Sequence, residues 1–81
     1  MHTFQIILND TPENTVKYIK TEIISNSGSF DGDEHYGTFS GKGIQGKYTT
    51  SDDTITITIL KKPFWASYNM IEKEIRKYFP K

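Results

Sequence analysis

The chain predicts an α+β fold in two layers: an antiparallel sheet of four or five strands with two helices packed on one face, in the order β-α-β-β-β-β-α. Three observations carry that expectation. Residues 54–59 alternate threonine and isoleucine without a fault, so Ile55, Ile57 and Ile59 share one face while Thr54, Thr56 and Thr58 take the other. Residues 44–50 repeat the two-residue period beside them, with Ile44, Gly46 and Tyr48 on one side. Two runs at helical spacing, one before this meander and one after it, supply the second layer.

The first element, residues 4–8, reads as a strand with Phe4, Ile6 and Leu8 on one face and Ile7 on the other. Apolar residues on both faces predict a covered strand rather than a free edge. A helix follows over Pro12 to Ser25. Thr11 suits the N-cap, Pro12 the first helical position, where a missing N–H costs nothing, and Glu13 the positive end of the dipole. Val16, Ile19 and Ile23 mark its buried stripe, and Gly28 is the expected left-handed residue at its end. Residues 29–34 fit a short strand carrying Phe30, followed by a turn. The meander then turns at Gly41-Lys42-Gly43 and again at Ser51-Asp52-Asp53, where short polar side chains can bond the local backbone. Pro63 breaks the last strand, and a helix is expected over residues 64–79, stopped by Pro80. Tyr68, Ile71, Ile75, Tyr78 and Phe79 form its apolar stripe, with a Glu72–Arg76 pair on the other side. Both helices are expected on the sheet face that carries Ile55, Ile57 and Ile59.

Eighty-one residues suit a single domain over 1–81, with a modest core. Ten basic and ten acidic side chains cancel, so no overall field draws the chain to nucleic acid or to an anionic bilayer. The absence of cysteine removes disulfides, thiolate nucleophiles and Cys-ligated zinc, and fits a reducing, cytoplasmic setting. The longest apolar runs, Phe64-Trp65-Ala66 and Ile6-Ile7-Leu8, are too short for a transmembrane segment or a signal-peptide core.

Chemistry is sparse. Gly41-Lys-Gly-Ile-Gln-Gly46 spells GxGxxG, but a dinucleotide loop must follow a strand and open a helix, whereas Gly46 leads into a strand. A tight turn, a bulge or the close approach of a helix to the sheet accounts for Gly37, Gly41, Gly43 and Gly46. Asp31-Gly-Asp-Glu-His-Tyr has oxygen ligands at the first and third positions of a calcium loop, but Tyr36 and Lys42 stand where that loop needs Gly and Glu. A solvated acidic turn is the simpler reading. His2 and His35 are far apart in sequence and lack the usual zinc company. No catalytic residue, metal or cofactor is assigned, and the chain is expected not to be an enzyme.

One stretch exceeds what a small core needs. Lys61-Lys62-Pro63-Phe64-Trp65, with Tyr68 beyond it, can form an exposed aromatic anchor beside two cations, suited to a protein partner or an apolar surface. The opposing expectation, favoured by the size of the domain, has Phe64 stapled over the first helical turn and Trp65 sealing the sheet. Lysines spread over separate elements are a poor match to a nucleic-acid groove. An open strand edge or this aromatic corner would give a homodimer.

Over residues 39–79 the pattern Phe-Ser-Gly-Lys-Gly-Ile-Gln-Gly-Lys-Tyr, an acidic turn, Thr-Ile-Thr-Ile-Thr-Ile-Leu, then Pro-Phe and a helix with Ile71-Glu72 and Ile75, resembles the polyhydroxyalkanoic acid system protein family. The resemblance implies a small, non-catalytic bacterial α+β protein associated with polyester granules; the helix from Pro12 to Ser25 is shorter than that family's. The predicted fold is also similar to the helix-grip lipid-binding arrangement, cut down to too few strands for a large cavity. That likeness implies an alternative role, binding an apolar ligand between the last helix and the sheet near Gly37, Gly46 and Tyr48.

Overall fold

The computed structural model describes residues 2–79. Five strands and two helices follow one another as β1 (His2–Ile7), α1 (Pro12–Ser25), β2 (Ser29–Gly32), β3 (Tyr36–Gly41), β4 (Ile44–Ser51), β5 (Thr54–Lys61) and α2 (Tyr68–Lys77). The strands form one antiparallel sheet in the order β1-β5-β4-β3-β2, an α+β fold with the predicted element order. Both turns of the meander are two residues long, as the registers Gly41↔Ile44 and Ser51↔Thr54 require. Lys42 (φ 55°) and Gly43 (φ 82°) both take positive φ, the turn hand that matches strand twist.

The isoleucine face of β5 is the centre of the core. Ile59 has no exposed surface, and Ile57 and Ile55 are buried beside Phe4, Ile6 and Tyr48 from the neighbouring strands. The registers Phe4↔Ile57, Ile6↔Ile55 and Tyr48↔Ile57 put these side chains on one face, which the helices cover with Val16, Ile19 and Ile71. The other face carries no helix residue of that core and is polar: Thr3 bonds Thr58 (3.1 Å) and Gln5 bonds Thr56 (3.3 Å) across the β1–β5 pair.

Helix α1 begins as its sequence dictates. Thr11, in extended conformation, accepts the Asn14 N–H on its hydroxyl (3.2 Å), with Pro12 in the first turn. Its end differs from expectation. Ser27, not Gly28, takes the left-handed conformation (φ 67°), and the Ser27 and Gly28 N–H groups bond the Ile24 and Ile23 carbonyls at 3.1 and 2.8 Å. Gly28 is needed for space instead, because a Cβ there would lie 2.7 Å from Ile23 and 2.8 Å from the Ser40 carbonyl.

Two further expectations are corrected and one is met. Strand β1 is an edge strand, pairing with β5 alone, and Ile7 is largely exposed. Its register, continued by the Leu8 N–H to Asp53 carbonyl bond, turns the backbone groups of Thr3, Gln5 and Ile7 outward. Arg76 occupies one of these, donating to the Gln5 carbonyl (3.2 Å) while its guanidinium lies 5.4 Å from the Phe4 ring centroid. Residues 29–32 form the expected short strand, at the opposite edge of the sheet. Helix α2 starts at Tyr68 rather than at residue 64, because Ser67 caps it by accepting the Met70 N–H (3.2 Å), and the Ala66 N–H bonds the Pro63 carbonyl in a separate turn. The stop expected at Pro80 lies outside the described residues.

Ile57→Ala should cost about 3–4 kcal/mol of folding stability by chemical denaturation, since it leaves a cavity at the centre of the core. Ile7→Ser should change stability by no more than about 0.5 kcal/mol, because that side chain already meets water. Equal effects would contradict the placement of β1 at the edge.

Candidate functional site: an aromatic corner and the cleft behind it

The turn between β5 and α2 places the predicted anchor residues in solvent. Phe64 is 96 % exposed and Trp65 67 %, while Ala66 turns inward and is buried. The staple and the sheet seal expected of these two rings are therefore not formed, because the helix that would have folded Phe64 back starts later in the chain. The turn is nevertheless braced. Pro63 packs against the β3–β4 hairpin so closely that a Cβ on Gly43 would stand 3.0 Å from its ring, which brings Lys42 beside the corner. On the other side the Lys62 ammonium lies 5.3 Å from the Tyr68 ring centroid, and Tyr68 stacks on His2 at 5.0 Å. His2 Nε2 meets Glu72 Oε1 at 2.9 Å, and Glu72 also accepts from Arg76. These contacts hold the Glu72 carboxyl below its ordinary range, the His2 hydrogen bond most of all. Of the predicted residues Lys62 and Tyr68 are in contact, and Trp65 shares a cleft lining with Lys42 and Met70, which the sequence reading did not single out.

The distribution of charge is uneven although the total is zero. Strand order brings the loops around residues 9–13, 31–35 and 52–53 to one end of the sheet, tied by the bonds Leu8 N–H to Asp53 carbonyl and Thr50 N–H to His35 carbonyl. All five aspartates lie there with Glu13 and Glu34, and no lysine or arginine does. The loops at the opposite end, residues 26–28, 42–43 and 62–67, carry Lys42 and Lys62, with Lys61 closing β5, and no acidic residue.

The acidic loop is a fold device. The Asp33 carboxylate accepts the N–H groups of His35 (2.8 Å) and Tyr36 (3.1 Å), and these bonds lower its pKa. Tyr48 donates its hydroxyl to the Asp33 carbonyl, and Thr50 donates to that of Glu34. Among the described residues no three His, Asp or Glu side chains converge as metal ligands.

Behind the corner a cleft of about 230 Å³ opens between α1 and α2 over the sheet. Ile55, Ile57 and Tyr48 line it from the sheet, Ile19 and Ile23 from α1, Ile75 from α2 and Phe79 from just beyond that helix, with Trp65 at its rim. Of the gap expected between the last helix and the sheet near Gly37, Gly46 and Tyr48, only the Tyr48 part is open: the Phe39 ring sits where a Cβ on Gly46 would be, 2.4 Å away, and the end of Tyr48 covers Gly37 at 2.7 Å. Aromatic rings, not a helix, approach these glycines. The sequence signal was present in the Phe39↔Gly46 and Gly37↔Tyr48 pairing, but only the register reveals it.

Burial, with the Asp33 and Asp31 carboxylates adding to it, pushes the Tyr48 hydroxyl from 10.0 up to about 12. The folded state therefore keeps this proton after the unfolded chain has lost it, so the contribution is full below pH 10 and lost as pH rises towards 12. The stability gap between wild type and Tyr48→Phe should shrink across that interval, by on the order of 1–2 kcal/mol once solvent screening is allowed for, read by urea titration at successive pH values. A gap that stays level would place Tyr48 in water.

No family model, no curated protein and no solved structure matches this chain.

Proposed function

We propose that the protein is a small non-catalytic docking module of the cytoplasm that attaches to an anionic surface with an apolar interior through Phe64 and Trp65, flanked by Lys61 and Lys62. The observation that carries this reading is the exposure of Phe64, 96 %, at an end of the sheet whose loops hold no acidic residue. Water makes an exposed aromatic pair costly, whereas the interfacial layer of a lipid film accepts both rings and leaves the lysines among the head groups. Each lysine near such a film contributes roughly 1 kcal/mol, and two inserted rings contribute more. The acidic loops at the far end then face away from the surface, so zero net charge does not oppose attachment. A coated polyester granule, to which the family resemblance points, is one surface of this kind. No helix among the described residues is long and apolar enough to cross a membrane, and attachment of this kind needs none.

Vesicles containing phosphatidylglycerol should sediment the protein, with a blue shift of Trp65 emission, and vesicles of phosphatidylcholine alone should do so weakly. Phe64→Ser should reduce partitioning by roughly tenfold or more with little loss of stability, because the ring touches little of the core. Lys61→Glu with Lys62→Glu should remove the preference for the anionic lipid, and added salt should mimic that loss. Partitioning that is indifferent to all three changes would defeat the reading. So would a homodimer with Phe64 and Trp65 buried in its interface.

A further inference from the structure

We infer that the cleft between α1 and α2 is a binding site for one unbranched acyl chain of medium length with an anionic head, the chain lying between the helices and Lys42 meeting the head. Four observations on this site converge.

The helices leave their facing stripes unfinished. Ile23 of α1 and Ile75 of α2 are only partly buried, as are Phe39 and Ile44 on the sheet, and all four line the cleft. In a domain this small such side chains normally close on one another, so a lining left half-wet is suited to an apolar guest.

The surface of the cleft is mostly carbon. The Tyr48 hydroxyl is spent on the Asp33 carbonyl, and the other uncharged polar side chains of the lining are Asn26, Ser40, Trp65 and Tyr78. A guest with polar atoms along its length would lose its hydration with little recompense.

Two charged side chains line the cleft, Lys42 and Glu74, and among the described residues only Glu74 has an ion-pair partner. Glu74 is engaged by Lys77 at 3.1 Å, and the Asn26 amide donates to the Glu22 carbonyl at 2.8 Å. Lys42, held at the hairpin tip by its positive φ, makes no ion pair among the described residues. A carboxylate or a phosphate ester is complementary to it.

Size then narrows the class. A volume of about 230 Å³ holds on the order of eight methylene-sized groups at roughly 30 Å³ each. That is too little to take up a sterol or a long-chain fatty acid whole, and it fits the buried length of a chain near octanoate.

The test is a titration of the whole protein with octanoate, followed by Trp65 emission and by isoleucine methyl resonances. Saturable binding is expected, with shifts centred on Ile23, Ile57 and Ile75 and none at Ile7 on the bare face. Octanol should bind several-fold more weakly, and Lys42→Met should abolish that difference while retaining the alkanol. Ile75→Trp, or Ile23→Phe should the first variant not fold, fills the cleft and should eliminate binding of both. Phe64→Ser should leave octanoate binding unchanged, which separates this site from surface attachment. Shifts spread over Ile7 and Leu60, equal binding by a cleft-filling variant, or no saturation at all would overturn the inference.

Discussion

The burial of one row of isoleucines, Ile55, Ile57 and Ile59, is the interaction on which the architecture depends, because β5 lies between β1 and β4 and carries the most deeply buried side chain of the core, Ile59. Once β1 pairs with β5, the chain must cross the sheet face to reach β2 at the far edge, and α1 is that crossing. Its end is held at β2 and β3, where Gly28 lets Ile23 approach the Ser40 carbonyl. Helix α2 is held at the opposite edge by His2–Glu72 and by Arg76 on the Gln5 carbonyl. The axes of the outer strands of a five-stranded sheet are roughly 19 Å apart, whereas packed helices stand about 8–10 Å apart. Two helices tied to opposite edges therefore stand far enough apart to leave the cleft between them. The cleft is a consequence of the connectivity, not of a missing side chain.

The same connectivity sorts the charges. In an antiparallel meander every second turn falls at the same end, so the positions of aspartates along the chain decide which end becomes acidic. Here Asp52 and Asp53 belong to the turn between β4 and β5, Asp31 and Asp33 lead into β3, and Asp10 precedes α1; all three places are at one end. Lys42 and Lys62 fall at the other. Composition records the sum and loses the separation, so an argument from net charge alone excluded an anionic partner too quickly. A field that is zero far from the molecule can still be strongly directional within about a Debye length of its surface.

Much of the fold was legible because its signals are local. The Thr11-Pro12-Glu13 start of α1 and the alternation in β5 need no knowledge of distant residues, and both stand where the sequence predicts. Expectations failed where the outcome depends on a partner far along the chain. Ile7 looks like a second buried face until β1 is known to be an edge. Gly28 looks like the left-handed cap, yet crowding by Ser40 claims the glycine one residue later than the turn needs it. Phe64 and Trp65 follow Pro63 and precede a helical stripe, so the period alone extends the helix over them. The Ser67 hydroxyl ends that extension, and Ser67 is a capping residue that could have been recognised. The candidate corner was visible as an excess of aromatics, but the cleft was not, since its walls come from helices separated by the whole sheet.

Exposure by itself would make Phe64 and Trp65 a poor anchor if the turn that bears them were loose, because ordering it on contact would consume part of the gain. The turn is instead closed on each side. Pro63 has a fixed φ and rests on the Gly43 hairpin, and the Ala66 N–H bonds the Pro63 carbonyl. Ala66 is buried, and Ser67 fixes the start of α2 one residue later. Two aromatic side chains with two rotatable bonds each are thus carried on a backbone held at residues 63, 66 and 67, so attachment has little left to order beyond the rings themselves. Trp65 also stands at the rim of the cleft, so the same short turn that presents the aromatic corner forms part of the cleft's entrance.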